Sequence, residues 1–182
     1  MRKSEPSASL WLRQASSDYD CAEHLRKLTD PAMNCHIIAK YQQTVEKAVK
    51  GVVSGLNNIG ASGVKLRFNH EVDIYIAALL HLPRRVELRE VEERIKRMLS
   101  EYHRSEIAAL SGLAPRQPAP GKQFGRNTEY PFQNPDGSWT VPAVAGVFRP
   151  DEIARFHSIA LKILDGSQRI IPVLDRIKPV GR

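Results

Sequence analysis

Apolar residues in this chain recur every three or four positions over several long stretches, which is typical of amphipathic helices. No stretch of useful length alternates between apolar and polar residues as a strand would. The predicted helices cover about 9–28, 32–57, 70–80 and 86–110, and a last one runs from about 150 until Pro172 kinks or ends it. Asn69 is the expected N-cap of the third helix. The pattern therefore predicts an all-α fold of about five helices.

The segment from Gly112 to Pro150 differs from the predicted helices in its amino-acid composition. Most of the twelve prolines lie in it, which excludes a regular helix. It also holds more aromatic residues than a solvated linker would, namely Phe124, Tyr130, Phe132, Trp139 and Phe148. We expect a long ordered loop over about 112–150 that packs these rings onto the helices, with a short hairpin around Asp136-Gly137. The prediction is a single helical domain over 1–182, with its core at about 9–178.

Charge bears on the kind of partner. The chain carries a net charge of +7, and its isoelectric point is near 9.6. Clustered Lys and Arg attract phosphates, but the densest basic region, 84–104, is interspersed with glutamates and indicates an ion-paired, solvated helix face. In the C-terminal stretch from Arg169 to Arg182, basic residues outnumber acidic ones more clearly. Charge alone therefore does not decide whether the partner is a nucleic acid.

Composition also narrows the location and the cofactor chemistry. No run of about eighteen apolar residues would span a membrane, and Met1–Arg13 lacks the apolar centre of a secretion signal. We therefore expect a cytoplasmic protein without membrane contact. Cys21 and Cys35 are too few for a disulfide framework and have no zinc-like spacing, so neither a metal site nor a cofactor is predicted.

Two stretches resemble the HEPN domain family. Trp11–Ala22 is similar to the opening helix of that family. Tyr41–Lys50 reads Tyr-Gln-Gln-Thr-Val-Glu-Lys-Ala-Val-Lys and is similar to its second helix, with the usual run Gln-Gln-Ala-Ala-Glu-Lys-Ala-Leu-Lys. Asn69–Val72 stands where the family often has Thr-His-Asp-Leu, and Arg126–Pro131 resembles an Arg-Tyr-Pro element before its final helix. Substitutions within these runs mark a divergent member, of the kind often paired with a minimal nucleotidyltransferase.

This resemblance implies an up-and-down helical bundle that dimerises through helical faces. Many family members are metal-independent ribonucleases, others pair with a small nucleotidyltransferase as toxin and antitoxin, and some are non-catalytic binding modules. The resemblance leaves open whether the motif residues bind a ligand or serve packing and the dimer. As nucleotide- or RNA-binding candidates it indicates Gln43, Glu46, Lys47, Lys50, His70, Arg126 and Tyr130.

The family also implies a candidate catalytic pair. Its catalytic members carry an Arg followed, after four to six residues, by a His, and Arg97 and His103 have that spacing. Metal-free RNA cleavage needs a base for the 2′-hydroxyl and a cation for the pentavalent phosphate, and these are roles that His and Arg can fill. On one continuous helix, however, the two side chains would diverge by roughly 120 degrees. The alternative is that both are surface residues of a charged helix.

Three hypotheses about function follow. The first is a HEPN-like nucleic-acid- or nucleotide-binding module, a homodimer in a toxin-antitoxin, defence or stress system, with a nucleotidyltransferase as partner protein. The second is an active metal-independent endoribonuclease that uses Arg97 and His103. The third is a non-catalytic structural partner subunit without a role in RNA binding.

Overall fold

The computed structural model describes residues 6–67, 72–115, 125–144 and 146–179. Within these ranges the chain forms six α-helices and one two-stranded antiparallel sheet, so the predicted all-α class is confirmed. The helices are α1 (Ala8–Arg26), α2 (Asn34–Asn58), α3 (Asp73–Leu80), α4 (Arg89–Met98), α5 (Glu101–Gly112) and α6 (Pro150–Leu174). The strands are β1 (Phe132–Gln133) and β2 (Trp139–Thr140), and 3₁₀ turns at Pro31–Met33 and Val86–Leu88 precede α2 and α4.

Helix α2 is the centre of the bundle and packs between α1 and α6. Small residues in its second half allow this close approach, because a Cβ atom on Gly55 would lie 2.9 Å from the Cδ1 atom of Leu174 in α6. At the other end of α2 the Asn34 side-chain amide donates to the Phe148 carbonyl, 2.9 Å away. Helices α2 and α6 therefore run parallel to each other.

The long helices run in two opposite directions. Helix α1 is antiparallel to α2, as shown by contacts of Ser54 with Pro6 and of Tyr41 with Glu23. Helices α4 and α5 follow each other in one direction, antiparallel to α6, since Arg94 contacts Arg169 and Glu106 contacts Arg155. The result is an up-and-down bundle.

The predicted helix over 86–110 is wrong in one respect, because the chain breaks it after Met98. Helix α4 ends there, Leu99 leaves the helical conformation at φ −107° and ψ 46°, and α5 begins at Glu101. Ser100 is the N-cap of α5, and its hydroxyl accepts the backbone N–H of His103 at 3.4 Å. Serine favours this position because its side chain satisfies an N–H group that the helix start leaves unpaired. This break accounts for six helices instead of about five.

Other boundaries also differ from the prediction. Helix α3 begins at Asp73, and the proposed N-cap Asn69 lies outside the described residues. Helix α6 continues through Pro172 and ends at Leu174. A proline so near the end of a helix removes few backbone hydrogen bonds, so the last turn tolerates it.

The proline-rich loop is ordered over its described part, 125–144 and 146–149. The predicted hairpin is present as β1 and β2, with Gly137 at φ 85° in the turn between them. The prediction that the aromatic rings pack onto the helices is only partly right. Phe132 and Phe148 are buried, whereas Tyr130 and Trp139 are 47% and 60% exposed, and Phe124 lies outside the described residues.

None of the helices in the described ranges combines the length and the apolar character that a membrane crossing requires.

Candidate nucleic-acid interface

The most family-like residues of α2 form ion pairs inside the bundle. The Lys50 ammonium donates to the Glu46 carboxylate at 2.5 Å, and the Lys50 side chain is only 1% exposed. Its Nζ atom also lies over the Trp11 and Tyr75 rings, 5.4 and 5.5 Å from their centroids. A buried ammonium held in this way has no surface to offer a phosphate. Glu46 and Lys50 therefore have a packing role in this structure, in place of the predicted ligand contact.

Lys47 and Gln43 belong to a second internal network, centred on Asp18 of α1. Asp18 is 3% exposed, and its two carboxylate oxygens accept from the ammonium groups of Lys40, at 3.0 Å, and Lys47. Gln43 completes the group, because its side-chain oxygen accepts from Lys40 at 2.9 Å. These bonds join α1 to α2, so the structure uses Lys47 and Gln43 between helices. Asp18 and Lys40 were not among the predicted site residues, since charged residues are seldom buried and the sequence gives no signal of it.

Arg126 anchors the proline-rich loop to the start of α6. Its guanidinium forms a two-pronged pair with Glu152, at 2.9 and 2.8 Å, and lies 4.6 Å from the centroid of the Phe148 ring. Hydrogen bonds from Arg126 lower the pKa of the Glu152 carboxyl below its ordinary value, and they outweigh the opposing effect of burial. Arg126 is thus committed to an internal contact.

Tyr130 lies in the turn that follows Arg126, and its backbone N–H donates to the Asn127 side-chain oxygen at 2.7 Å. Tyr130 is 47% exposed. His70 lies outside the described residues. Among the described residues, Gln43 and Lys47, Glu46 and Lys50, and Arg126 thus belong to three separate networks of hydrogen bonds and ion pairs.

The break between α4 and α5 changes the geometry of Arg97 and His103. His103 lies in the first turn of α5, and its Nδ1 atom is 3.0 Å from the Met98 carbonyl oxygen at the end of α4. A carbonyl only accepts, so in the neutral ring Nδ1 carries the proton and Nε2 keeps its lone pair. The expected divergence of roughly 120 degrees applied to a continuous helix and does not hold here. Instead, the His103 ring folds back onto the residue that follows Arg97.

Arg97 lines a cleft between α4 and α6 of about 310 Å³, called here the α4–α6 cleft. The cleft is strongly basic, with four cationic side chains and one carboxylate. Its lining residues are Arg94, Arg97 and Met98 from α4, and Lys162, Asp165, Gly166 and Arg169 from α6. The two helices meet closely because residue 166 is glycine, where a Cβ atom would lie 2.7 Å from the Met98 Cγ atom.

The four cationic side chains of the α4–α6 cleft differ in the ion pairs and hydrogen bonds that they form. Arg94 pairs with Glu90 and donates to the Arg169 carbonyl, while Arg169 pairs with Asp165 at 2.9 and 3.0 Å. Arg97 and Lys162 are exposed and have no hydrogen bond or ion pair to other described residues. The cleft thus presents two cations that form no ion pair with a described carboxylate, and Asp165, which lines the same cleft, pairs with Arg169 instead.

Arg94 and Lys162 were not among the site residues predicted from the sequence. Lys162, Asp165, Gly166 and Arg169 follow one another at helical spacing, but such a row resembles any solvated helix face. Only the packing of α4 against α6 brings the two rows together.

No protein-family model, curated protein or solved structure matches this chain. In the described part of the chain, no group of three or more His, Cys, Asp or Glu side chains is arranged to hold a metal ion.

Proposed function

We propose that this chain is an RNA-binding module of the HEPN type, and that the α4–α6 cleft holds the phosphates of the RNA. The observation that carries the proposal concerns Arg97 and Lys162. They lie on facing helices of one basic cleft, and neither forms an ion pair with another described residue. Phosphate contacts from such residues supply most of the affinity of sequence-independent binding. Among the predicted catalytic and binding residues that the structure describes, Arg97 is also the one that lines this cleft.

An exposed ring near the α4–α6 cleft favours single-stranded RNA over a free nucleotide. Tyr102 is 65% exposed, and it packs edge-on against His103 with ring centroids 5.7 Å apart. Aromatic rings beside a basic groove stack on unpaired bases, and each stacked base contributes about 1–3 kcal/mol. A strand whose phosphates lie at Arg97 would bring its bases toward this ring.

The test is the salt dependence of binding to a fluorescein-labelled single-stranded RNA, followed by fluorescence anisotropy. Each phosphate contact to a single strand contributes about 0.7 to the slope of log affinity against log salt. The double variant Arg97→Ala/Lys162→Ala should therefore lower the slope by about 1.4 and weaken binding at low salt. Its matched control is Lys65→Ala/Arg67→Ala, which removes one Lys and one Arg from exposed positions outside the cleft.

The two variants separate the competing outcomes. Equal losses in both would mean that only total charge matters and would refute the cleft as the site. Binding of a mononucleotide as tightly as of RNA would replace RNA with nucleotide as the ligand. Failure of the unchanged protein to bind RNA at low salt would favour the third hypothesis, a structural partner subunit.

The second candidate function is metal-independent RNA cleavage by Arg97 and His103. The observation that favours it is the hydrogen bond between His103 Nδ1 and the Met98 carbonyl, since it orients the ring and leaves Nε2 to accept a proton. In this candidate mechanism Nε2 removes the proton of the 2′-hydroxyl, and the 2′-oxygen bonds to phosphorus as the bond between phosphorus and the 5′-oxygen breaks. The Arg97 guanidinium stabilises the charge of the pentavalent phosphate, and the leaving 5′-oxygen takes its proton from water, which leaves a 2′,3′-cyclic phosphate and a 5′-hydroxyl.

Cleavage is tested with EDTA present, on the unchanged protein and on His103→Ala. Loss of cleavage in that variant, with RNA binding retained, is the expected result, because a positioned base typically contributes about 10²–10⁴-fold in rate. The matched control is His81→Ala, since the His81 Nδ1 atom also contacts a helix carbonyl, that of Ala77 at 2.8 Å. Equal cleavage by all three proteins would remove His103 from the mechanism.

Dimerisation and a nucleotidyltransferase partner belong to the same proposal, and the HEPN resemblance alone supports them. The expected molar mass in light scattering is twice the 20.5 kDa of the chain. A mass of one chain at micromolar concentration would contradict the dimer without affecting RNA binding at the cleft.

A further inference from the structure

A second cavity, of about 570 Å³, lies at the end of α6 opposite to the α4–α6 cleft. It forms where the end of α1, the following turn, the start of α2 and the segment 146–154 meet. Its walls are mainly apolar, with Leu25, Ile37, Phe148 and Ile153 among the lining residues. A cavity of this size and character is typical of small-molecule sites.

Two arginines line the same cavity and bring guanidinium donors to it. Arg26 uses one terminal nitrogen to bind Glu23 at 2.7 Å, whereas Arg149 binds Asp151 at 3.1 Å and its Nε atom lies 3.9 Å from Glu152. Each guanidinium has five N–H donors, so both retain donors for a ligand. Among the described lining residues Asp30 is the one carboxylate, and its oxygen already accepts the Ala32 N–H at 2.9 Å.

Arg26 is held in position by a polar cluster behind the cavity wall. Its partner Glu23 accepts from the Tyr41 hydroxyl at 2.6 Å, and Tyr19 and His157 complete the cluster with a 2.8 Å hydrogen bond. Burial alone would raise the pKa of the Glu23 carboxyl, but hydrogen bonds from Tyr41 and Arg26 outweigh it and lower that pKa. Glu23 is therefore charged near neutral pH and fixes the Arg26 side chain.

The turn that forms one side of the cavity has an unusual backbone. Thr29 adopts a φ of 55°, in the left-handed region that β-branched residues seldom enter. Residues held in this region are commonly found at ligand sites, where the surrounding structure maintains them. The strained turn places Thr29 and Asp30 at the cavity, next to Arg26.

We propose that this cavity binds a small aromatic carboxylate, with its ring against the apolar walls and its carboxylate on Arg26 and Arg149. A planar carboxylate matches the fork of a guanidinium, and a monoanion loses less hydration than a phosphate ester when it enters an apolar site. This site does not depend on RNA binding at the α4–α6 cleft.

The probe is naphthoate, measured by isothermal titration calorimetry against the full chain, with the neutral isostere naphthamide as the reference ligand. The unchanged protein should bind naphthoate at least about tenfold more tightly than naphthamide. The variant Arg26→Gln/Arg149→Gln should lose this preference, while the matched control Arg67→Gln, which lies outside the cavity, should retain it. Equal binding of both ligands by the unchanged protein would overturn the proposal.

A second variant keeps the test decisive if loss of Arg26 weakens the fold. Ala154 is an exposed lining residue, so Ala154→Phe fills the cavity and leaves every member of the Glu23 cluster in the sequence. It should abolish naphthoate binding and leave RNA binding unchanged. Undiminished naphthoate binding by a folded Ala154→Phe protein would also overturn the proposal, whereas loss of RNA binding alone would concern only the α4–α6 cleft.

Discussion

Asp18→Asn tests whether the family-like Lys47 of α2, together with Lys40, serves the fold. The substitution keeps the shape of a buried side chain and removes its charge. One amide oxygen remains, and the new NH₂ group faces a lysine ammonium, where two donors repel each other. Of the two bonds that the Asp18 carboxylate accepts from Lys40 and Lys47 across the α1–α2 contact, one is lost and the other is made to a neutral acceptor.

The magnitude follows from the burial of the three groups. Hydrogen bonds to charged groups contribute about 1.5–3 kcal/mol each. The Asp18 side chain is 4% exposed, but those of Lys40 and Lys47 are 33% and 20% exposed, so water compensates part of the loss at the lysines. We expect the free energy of unfolding to fall by about 2–4 kcal/mol, or Tm by about 5–15 °C for a chain of this length.

The assay is urea and thermal unfolding followed by far-ultraviolet circular dichroism. The matched control is Asp20→Asn, an exposed position on the same helix that has no ion pair with other described residues. The control should change the free energy of unfolding by less than about 0.5 kcal/mol. A loss that small in Asp18→Asn would refute the reasoning, because it would mean that the lysines are solvated and that the α1–α2 contact does not need the carboxylate.

Two further predictions concern the ion pairs formed by Lys47 and Arg126, two residues quoted for the HEPN resemblance. Lys47→Met should lower the free energy of unfolding by about 1–3 kcal/mol and leave the salt slope of RNA binding unchanged, whereas a phosphate contact would lower that slope by about 0.7. Glu152→Gln should destabilise the protein near neutral pH, and the difference from the unchanged protein should shrink as pH falls through the lowered pKa of Glu152. The sign follows from the lowered pKa of Glu152, since a carboxyl with a depressed pKa stabilises the fold above its ordinary pKa and loses this effect as pH falls through the folded value. Thermal unfolding at several pH values measures it, and a difference independent of pH would contradict the role assigned to the Arg126–Glu152 pair.

The long helices were predictable because each buries one continuous stripe against the bundle, so local periodicity carries the information. The break after Met98 was not predictable from the sequence, because Leu99 continues the apolar pattern. Only the side chain of Ser100 competes with the helix there. A single capping serine is a weak signal within a charged, periodic stretch. Because the predicted helix lacked this break, the predicted orientation of His103 relative to Arg97 was wrong.

The candidate site was less predictable than the fold, because it depends on contacts between distant segments. The sequence does not distinguish the buried Lys50 from the exposed Lys162, since both are lysines on periodic helices. Burial of Lys50 is decided by Glu46 and the rings around it, and exposure of Lys162 is decided by the packing of α4 on α6. The motif resemblance therefore indicated residues that stabilise the bundle, while the basic cleft emerged from tertiary packing.

The central claim, that RNA lies in the α4–α6 cleft, is tested most directly by photo-crosslinking. Single-stranded RNA substituted with thiouridine is irradiated with the full chain, and the adducts are mapped by mass spectrometry of peptides. The account predicts adducts on peptides that contain Arg94–Tyr102 and Lys162–Arg169, lost in Arg97→Ala/Lys162→Ala. Adducts confined to other surfaces, such as the exposed Trp139 hairpin, would contradict it.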